Sequence, residues 1–213
     1  MTRINLLTGG HPYEREPFLD MFRDADGLEM TEFTHPDVEP AFTEPCETLV
    51  FFDHGTEISN AARQAFEQRL EEGVGCVFLH HCLYNYPNWL EFPRILGGFW
   101  SFTETRVGND RCGPSTWSDD ELIPVHIEDR DHPVTRELED FTITDETYGN
   151  YWIAADVTPL LTTTHPASER VIGWTHTYGA SRIVYLQPGD KPPCYAHPSY
   201  RQLIRNAIDY VAL

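Results

Sequence analysis

The chain has 213 residues, 40% of them hydrophobic and 13% aromatic, with 34 acidic against 15 basic side chains for a formal charge of −19. That length and apolar content fit one compact core, with no apolar run long enough to cross a bilayer as a helix. So strong a negative charge opposes phosphate backbones and anionic lipid surfaces, which argues against nucleic acid and membrane as partners. The opening residues, MTRINLLTGGHPY, hold only a four-residue, largely apolar stretch, Ile4 to Leu7. That is too short for the central region of a signal peptide, so the expected location is the cytoplasm. Cys46, Cys76, Cys82, Cys112 and Cys194 contain no C-x-x-C pair and read as reduced thiols rather than a disulfide framework or a zinc ribbon.

In chain order, Ile4 to Thr8, Thr48 to Phe52 and Cys76 to Leu79 read as buried parallel strands, each a short apolar run without polar alternation. Between the last two, Ser59 is placed to cap a helix through SNAARQAFEQRLEEG, which Gly73 ends. Strand, helix, strand alternation predicts an α/β fold of three layers, doubly wound on a mostly parallel sheet, as a single domain over residues 1–213. The stretch from Phe99 to Asp120 lacks periodicity and reads as an irregular excursion of the kind that often carries function. Strands are expected at Ile123 to Ile127, Phe141 to Thr144 and Thr158 to Thr162, then a C-terminal hairpin of Arg170 to Tyr178 and Ser181 to Leu186 turning at Gly179. A last helix, Ser199 to Val211, puts Leu203, Ile204, Ala207, Ile208 and Val211 on one face.

Ligands of open α/β sheets bind beyond the carboxyl ends of the strands. The first three strands run out into His11, His54 and the pair His80-His81. Imidazole donates, accepts or ligates near neutral pH, so three such strand ends mark a candidate site. The plainer alternative is that each histidine caps a strand end on a loop carbonyl. Asp145-Glu146-Thr147-Tyr148, placed just after a short strand, adds a carboxylate able to act as a base, a metal ligand or the partner that fixes a histidine tautomer; a solvated loop acid is the alternative. Gln187-Pro188-Gly189-Asp190 is a third candidate, or a simple turn. His35, His132, His165 and His197 each precede proline and read as turn residues. Trp89, Trp100, Trp117, Trp152 and Trp174 can offer a stacking face to a sugar ring or serve as core.

The segments TGGHPYE, LHHCLYNYPNWLEFPRILGGFW, DHPVTREL, FTITDETY, LLTTTHPASERVIGWTHTYGASRIVYLQPGD and YAHPSYRQLIRNAIDYV, in that order and spacing, resemble the ThuA-like proteins of trehalose utilisation. The resemblance spans nearly the whole chain and implies the flavodoxin-like fold of the class I glutamine amidotransferases. It also implies a role in carbohydrate metabolism, on keto-sugars or oxidised disaccharides and glycosides. His80 matches the family's strand-end histidine, His81 its neighbour, Glu146 the acid of a D-E-x-Y motif and His11 the histidine after the first strand. Two departures stand out: Asp190 occupies the place where many relatives carry the histidine of G-H-D, and no histidine follows Gly97-Gly98-Phe99-Trp100. Glutaminases of this fold need a cysteine on a glycine-flanked elbow and a later His-x-Glu. Cys82 has neither, so glutamine hydrolysis is not expected.

The residues therefore carry three readings. In the first, His80, Glu146 and His81 perform acid–base catalysis on a keto-sugar, while His11, His54, Tyr148, Asp190 and Trp89 bind it. In the second, His11, His80, His81 and Glu146 hold a divalent ion such as zinc in a metal-dependent sugar hydrolase or isomerase. In the third, favoured by Asp190, the chain is a non-catalytic sugar-binding or regulatory protein. The expected partner in each is a small-molecule carbohydrate, with homo-oligomerisation left open.

Overall fold

The computed structural model describes residues 1–212. Its strands are β1 (Thr2–Gly9), β2 (Leu28–Thr34), β3 (Thr48–Asp53), β4 (Gly75–Leu79), β5 (Gly98–Phe99), β6 (Thr105–Val107) and β7 (Asp110–Cys112). They continue as β8 (Thr116–Ile127), β9 (Phe141–Gly149), β10 (Trp152–Ile153), β11 (Thr158–Thr162), β12 (Val171–Tyr178) and β13 (Ser181–Leu186). The helices are α1 (Arg15–Arg23), α2 (Asn60–Glu72), α3 (Phe92–Leu96), α4 (Pro192–Tyr195) and α5 (Pro198–Val211).

Nine strands form one sheet in the order β2-β1-β3-β4-β13-β12-β11-β8-β9. From β2 to β13 the neighbours are parallel, and from β13 to β9 they are antiparallel. The sheet is thus mixed rather than mostly parallel. Parallel neighbours need a long crossover, whereas antiparallel ones can be joined by a tight return. Beyond the helical crossover that delivers β4, the chain uses returns: Tyr178 faces Ser181 across the two-residue link from β12 to β13. That pair lies inside the sheet, and α4 and α5 follow it.

Both faces of the parallel half are covered. Along β3, Val50 and Phe52 enter one core with Phe18 of α1 and Leu203, Ala207 and Ile208 of α5, while Leu49 and Phe51 enter a second with Phe66 and Leu70 of α2. Such continuous apolar strands are what burial on two sides requires. The α2 boundaries follow local chemistry, because Ser59 accepts the Ala62 N–H at 3.1 Å and Gly73 ends the helix at φ +87°.

Polar strands escape an apolar-run reading. The stretch from Phe99 to Asp120 contains β5, the β6–β7 ribbon and the first part of β8. β8 and β9 pair apolar residues at one end, Ile123 with Ile143 and Val125 with Phe141, and polar ones farther along, Ser118 with Thr147 and Glu121 with Asp145, across a bulge between Ser118 and Glu121. Asp145, Glu146 and Tyr148 therefore sit within a nine-residue strand, not after a short one. The edge strand β2 and the helix α1 likewise lie where no element was expected; β2 alternates between half-buried and exposed positions. Among the described residues no helix is long and apolar enough to cross a membrane.

Candidate active site

At the end of β4 the backbone of His80 takes φ +46°, a left-handed conformation uncommon for a residue with a Cβ. The turn aims the imidazole sideways across the seam between the two halves of the sheet. Its Nδ1–H donates to the Gln187 carbonyl at 2.6 Å, and its Nε2 lies 3.0 Å from Glu146 Oε2 and 2.7 Å from the Tyr148 hydroxyl. The Tyr148 ring stacks on it at 4.7 Å. Burial disfavours the imidazolium, but the Glu146 hydrogen bond and the carboxylates of Asp145, Glu146 and Asp190 outweigh it and raise His80 to about 9. The acidic surroundings thus favour the protonated form of His80.

The other imidazoles of the cluster are electrically opposite. His81 is held well below its ordinary value by burial and by the charge of His80, with His11 and His54 adding to the effect. His11 falls to about 4, and His54 is also lowered, both chiefly through burial. The His11 and His81 rings stack with centroids 3.7 Å apart. His11 Nδ1–H donates to the Pro12 carbonyl at 2.9 Å, while its Nε2 and His81 Nδ1 are buried without a partner. Gly10 permits this packing, since a Cβ there would fall 2.3 Å from the His54 carbonyl oxygen.

Asp145 anchors the opposite wall. Its buried carboxylate accepts the Gly189 and Asp190 N–H groups at 2.5 and 3.0 Å, fixing the loop that carries Asp190. Gly189, at φ +141°, leaves no room for a Cβ against the Tyr200 hydroxyl. Asp190 Oδ1 then sits 3.8 Å from His80 Nε2 and 3.7 Å from His81 Nε2. Burial pushes the Asp145 and Asp190 carboxyls up against the downward pull of His80. One oxygen or nitrogen from each of His80, His81, Glu146 and Asp190 lies within 4.8 Å of the others, so this set could hold a metal ion. His11 of the expected ligand set is outside it.

A cavity of about 180 Å³ opens onto these groups. Its polar wall is His54, His81, Glu146 and Tyr148, and its apolar wall is Leu83, Tyr84, Trp100, Phe102 and Trp117. Four of the eight expected site residues therefore face it. His80, with no exposed surface, lies behind Glu146 and Tyr148 and contacts both, while His11 backs His81. Trp89 is elsewhere: it packs against Phe66, Tyr86 and Phe92 beneath the Arg63 guanidinium. The aromatic wall is instead Trp100 and Trp117, both legible as stacking candidates, and Tyr84 and Phe102, which carry no sequence signal of their own.

The remaining candidates find structural uses. His132, His165 and His197 each accept through Nδ1 the backbone N–H two residues on, those of Val134, Ala167 and Ser199, which is the turn role expected of them. His35 differs. Its Nε2 lies 2.8 Å from the fully buried Asp53, which Asn85 also meets at 2.7 Å, so it ties the ends of β2, β3 and β4 together. Cys82 has no exposed surface, donates its thiol to the Phe51 carbonyl and is pushed well above its usual range by burial, which leaves no thiolate nucleophile. All five cysteines are free and buried.

Comparison with known proteins agrees with this architecture. A ThuA-like protein from Parabacteroides merdae superposes with a TM-score of 0.80 at 16% identity, over 99% of this chain and 90% of its own. Another from Bacteroides uniformis gives 0.71 at 20% identity, over 99% and 91%. The cytoplasmic protein STM3548 from Salmonella typhimurium gives 0.71 at 13%, over 99% of each. A search of curated proteins found no match. At these identities the superpositions establish the fold alone. The sequence profile of ThuA, described as trehalose utilisation, matches residues 10–211. With nearly its whole length matched by that profile, the chain belongs to the ThuA family.

Proposed function

We propose that the protein is a cytoplasmic enzyme of carbohydrate metabolism that acts on keto-sugars or oxidised disaccharides and glycosides by proton transfer. The observation that carries this reading is the Glu146–His80–Tyr148 group, joined at 3.0 and 2.7 Å behind an aromatic-walled cavity. A hydrogen on the carbon beside a ketone is acidic enough for a positioned carboxylate to remove. Glu146 takes that proton, the C–H electron pair moves into the new C=C bond, and the carbonyl pair moves onto oxygen. The Tyr148 hydroxyl, with the His80 charge behind it, offsets the negative charge formed there. Where the α carbon bears a hydroxyl, passing its O–H proton to the former carbonyl oxygen and returning the Glu146 proton to the former carbonyl carbon isomerises the sugar. Where a β substituent is present, the enolate re-forms the ketone, the C=C pair shifts to expel that substituent with its bonding pair, and the Glu146 carboxyl protonates the departing oxygen.

Tyr84, Trp100, Phe102 and Trp117 offer flat faces to the apolar side of a pyranose, and the neutral His54 and His81 offer donors and acceptors to its hydroxyls. The family's description as trehalose utilisation supports the substrate class, and the Salmonella relative named as a cytoplasmic protein supports the location. Incubation with 3-keto-glucosides and 3-keto-trehalose in deuterated water, followed by NMR, tests the reading. Expected are product formation and deuterium on the carbon beside the ketone, both lost in Glu146→Gln. The reading fails if every keto-sugar is left unchanged. Thermal stabilisation by sugars without turnover would identify a non-catalytic sugar-binding protein instead.

A further inference from the structure

The groups that meet at the seam leave a space of a particular size. Ligands 2.0–2.2 Å from a tetrahedral ion stand roughly 3.3–3.6 Å apart. Here the separations are 3.0 Å for His80 to Glu146, 3.7 Å for His81 to Asp190 and 3.8 Å for His80 to Asp190, with all four ligand atoms within 4.8 Å. We propose that His80, His81, Glu146 and Asp190 form a binding site for one divalent transition-metal ion of the zinc type, seated among these four side chains.

Each ligand is already prepared for that use. The Gln187 carbonyl holds the proton of His80 on Nδ1 at 2.6 Å, so Nε2 faces the cluster, which is how a ligating histidine is commonly oriented. His81 Nδ1 has no partner, and its Nε2 stands at 3.7 Å from Asp190, beyond hydrogen-bond reach. A buried ring nitrogen without a hydrogen-bond partner is costly, and Nε2 of the same ring is open toward the cavity. Asp190 is held in place by the Asp145 grip on its own N–H. Two carboxyl groups, Glu146 at 3.0 Å and Asp190 at 3.8 Å, converge on the His80 ring, a mixed oxygen and nitrogen set that suits a dication. Two imidazoles select a borderline ion over magnesium or calcium, and the carboxylates disfavour copper(I).

His81 and Glu146 also line the cavity, so an oxygen of a bound molecule can approach the ion from that side. Only this last role rests on the keto-sugar reading, in which the ion rather than a proton would draw charge from the ketone oxygen. Asp190 supplies the fourth ligand atom through its Oδ1.

The test is calorimetric titration of zinc chloride into the full chain after chelator treatment, with far-UV circular dichroism to confirm that each variant is folded. One zinc per chain is expected, with affinity reduced roughly tenfold or more in His81→Ala and in Asp190→Ala. His126→Ala, which removes a surface imidazole remote from the cluster, should bind as wild type does. Cobalt substitution should give the visible absorption of a low-coordinate site. No saturable binding, or binding that His81→Ala and Asp190→Ala leave intact, overturns the proposal. Zinc bound at these residues with every keto-sugar unchanged supports the ion and overturns the sugar reading. Turnover by a chain that binds no zinc does the reverse.

Discussion

The two halves of the sheet contribute different chemistry. The parallel half, buried on both faces, supplies the imidazoles from its strand ends: His11 after β1, His54 after β3, and His80 and His81 after β4. The antiparallel half supplies Asp145, Glu146 and Tyr148 from the body of β9, and the loop after β13 brings Asp190 between the two sets. A strand end is fixed by the core beneath it, whereas a side chain within a polar strand is fixed by cross-strand pairing. The site is thus assembled from two kinds of precision, and each can be disturbed separately.

Substitutions that separate the two contributions can be ranked by their expected size. Glu146→Gln should reduce turnover of a responsive keto-sugar by about 10²–10⁴ in steady-state assays, the usual range for losing a general base, with far-UV circular dichroism checking that the variant is folded. Trp89→Ala, in the core of the parallel half, should cost about 3–5 kcal/mol in denaturant unfolding, because it leaves a large cavity among Phe66, Tyr86 and Phe92. Asp145→Asn should cost about 2–3 kcal/mol in the same measurement, since two backbone N–H groups lose a charged acceptor at a buried position.

Acid should weaken the fold through histidines remote from the site. His176, whose Nε2 meets the Ile95 carbonyl at 3.0 Å, and His132 are both lowered by burial from 6.5. Their folded forms resist protonation that the unfolded chain accepts, so their contribution is intact above pH 6.5 and declines as pH falls toward their folded values. Unfolding free energies measured from pH 7.5 to pH 5 should decline, and less steeply in His176→Gln. Least in size, Trp117→Ala should change stability by under about 0.5 kcal/mol, as its ring is 57% exposed, yet weaken sugar binding roughly three- to tenfold by calorimetry. The contrast with Trp89→Ala distinguishes an aromatic that supports the fold from one that lines the cavity.

Legibility followed the same division. β1, β3 and β4 announce themselves as apolar runs, and the histidines at their ends were readable because a strand end has a predictable outlet. β8 and β9 are rich in Thr, Asp and Glu, so apolar patterning truncates them, and with them the reason why Asp145 faces the loop at Gly189 while Glu146 faces the cavity. The choice between Trp89 and Trp117 was hidden for another cause. Nothing in the local sequence separates a tryptophan packed under Arg63 from one at a cavity mouth, because the difference arises from residues brought together by the fold.

The five enclosed sulfhydryls give the molecule a built-in set of reporters. A thiol reagent reaches a cysteine only when the surrounding structure opens, so the rate of labelling records local breathing without any engineered probe. Cys112, in the small cluster of the β6–β7 ribbon, should be modified early, and Cys76 and Cys82, at the heart of the central strands, last. Mass spectrometry of the modified chain would therefore trace the sequence in which the protein comes apart.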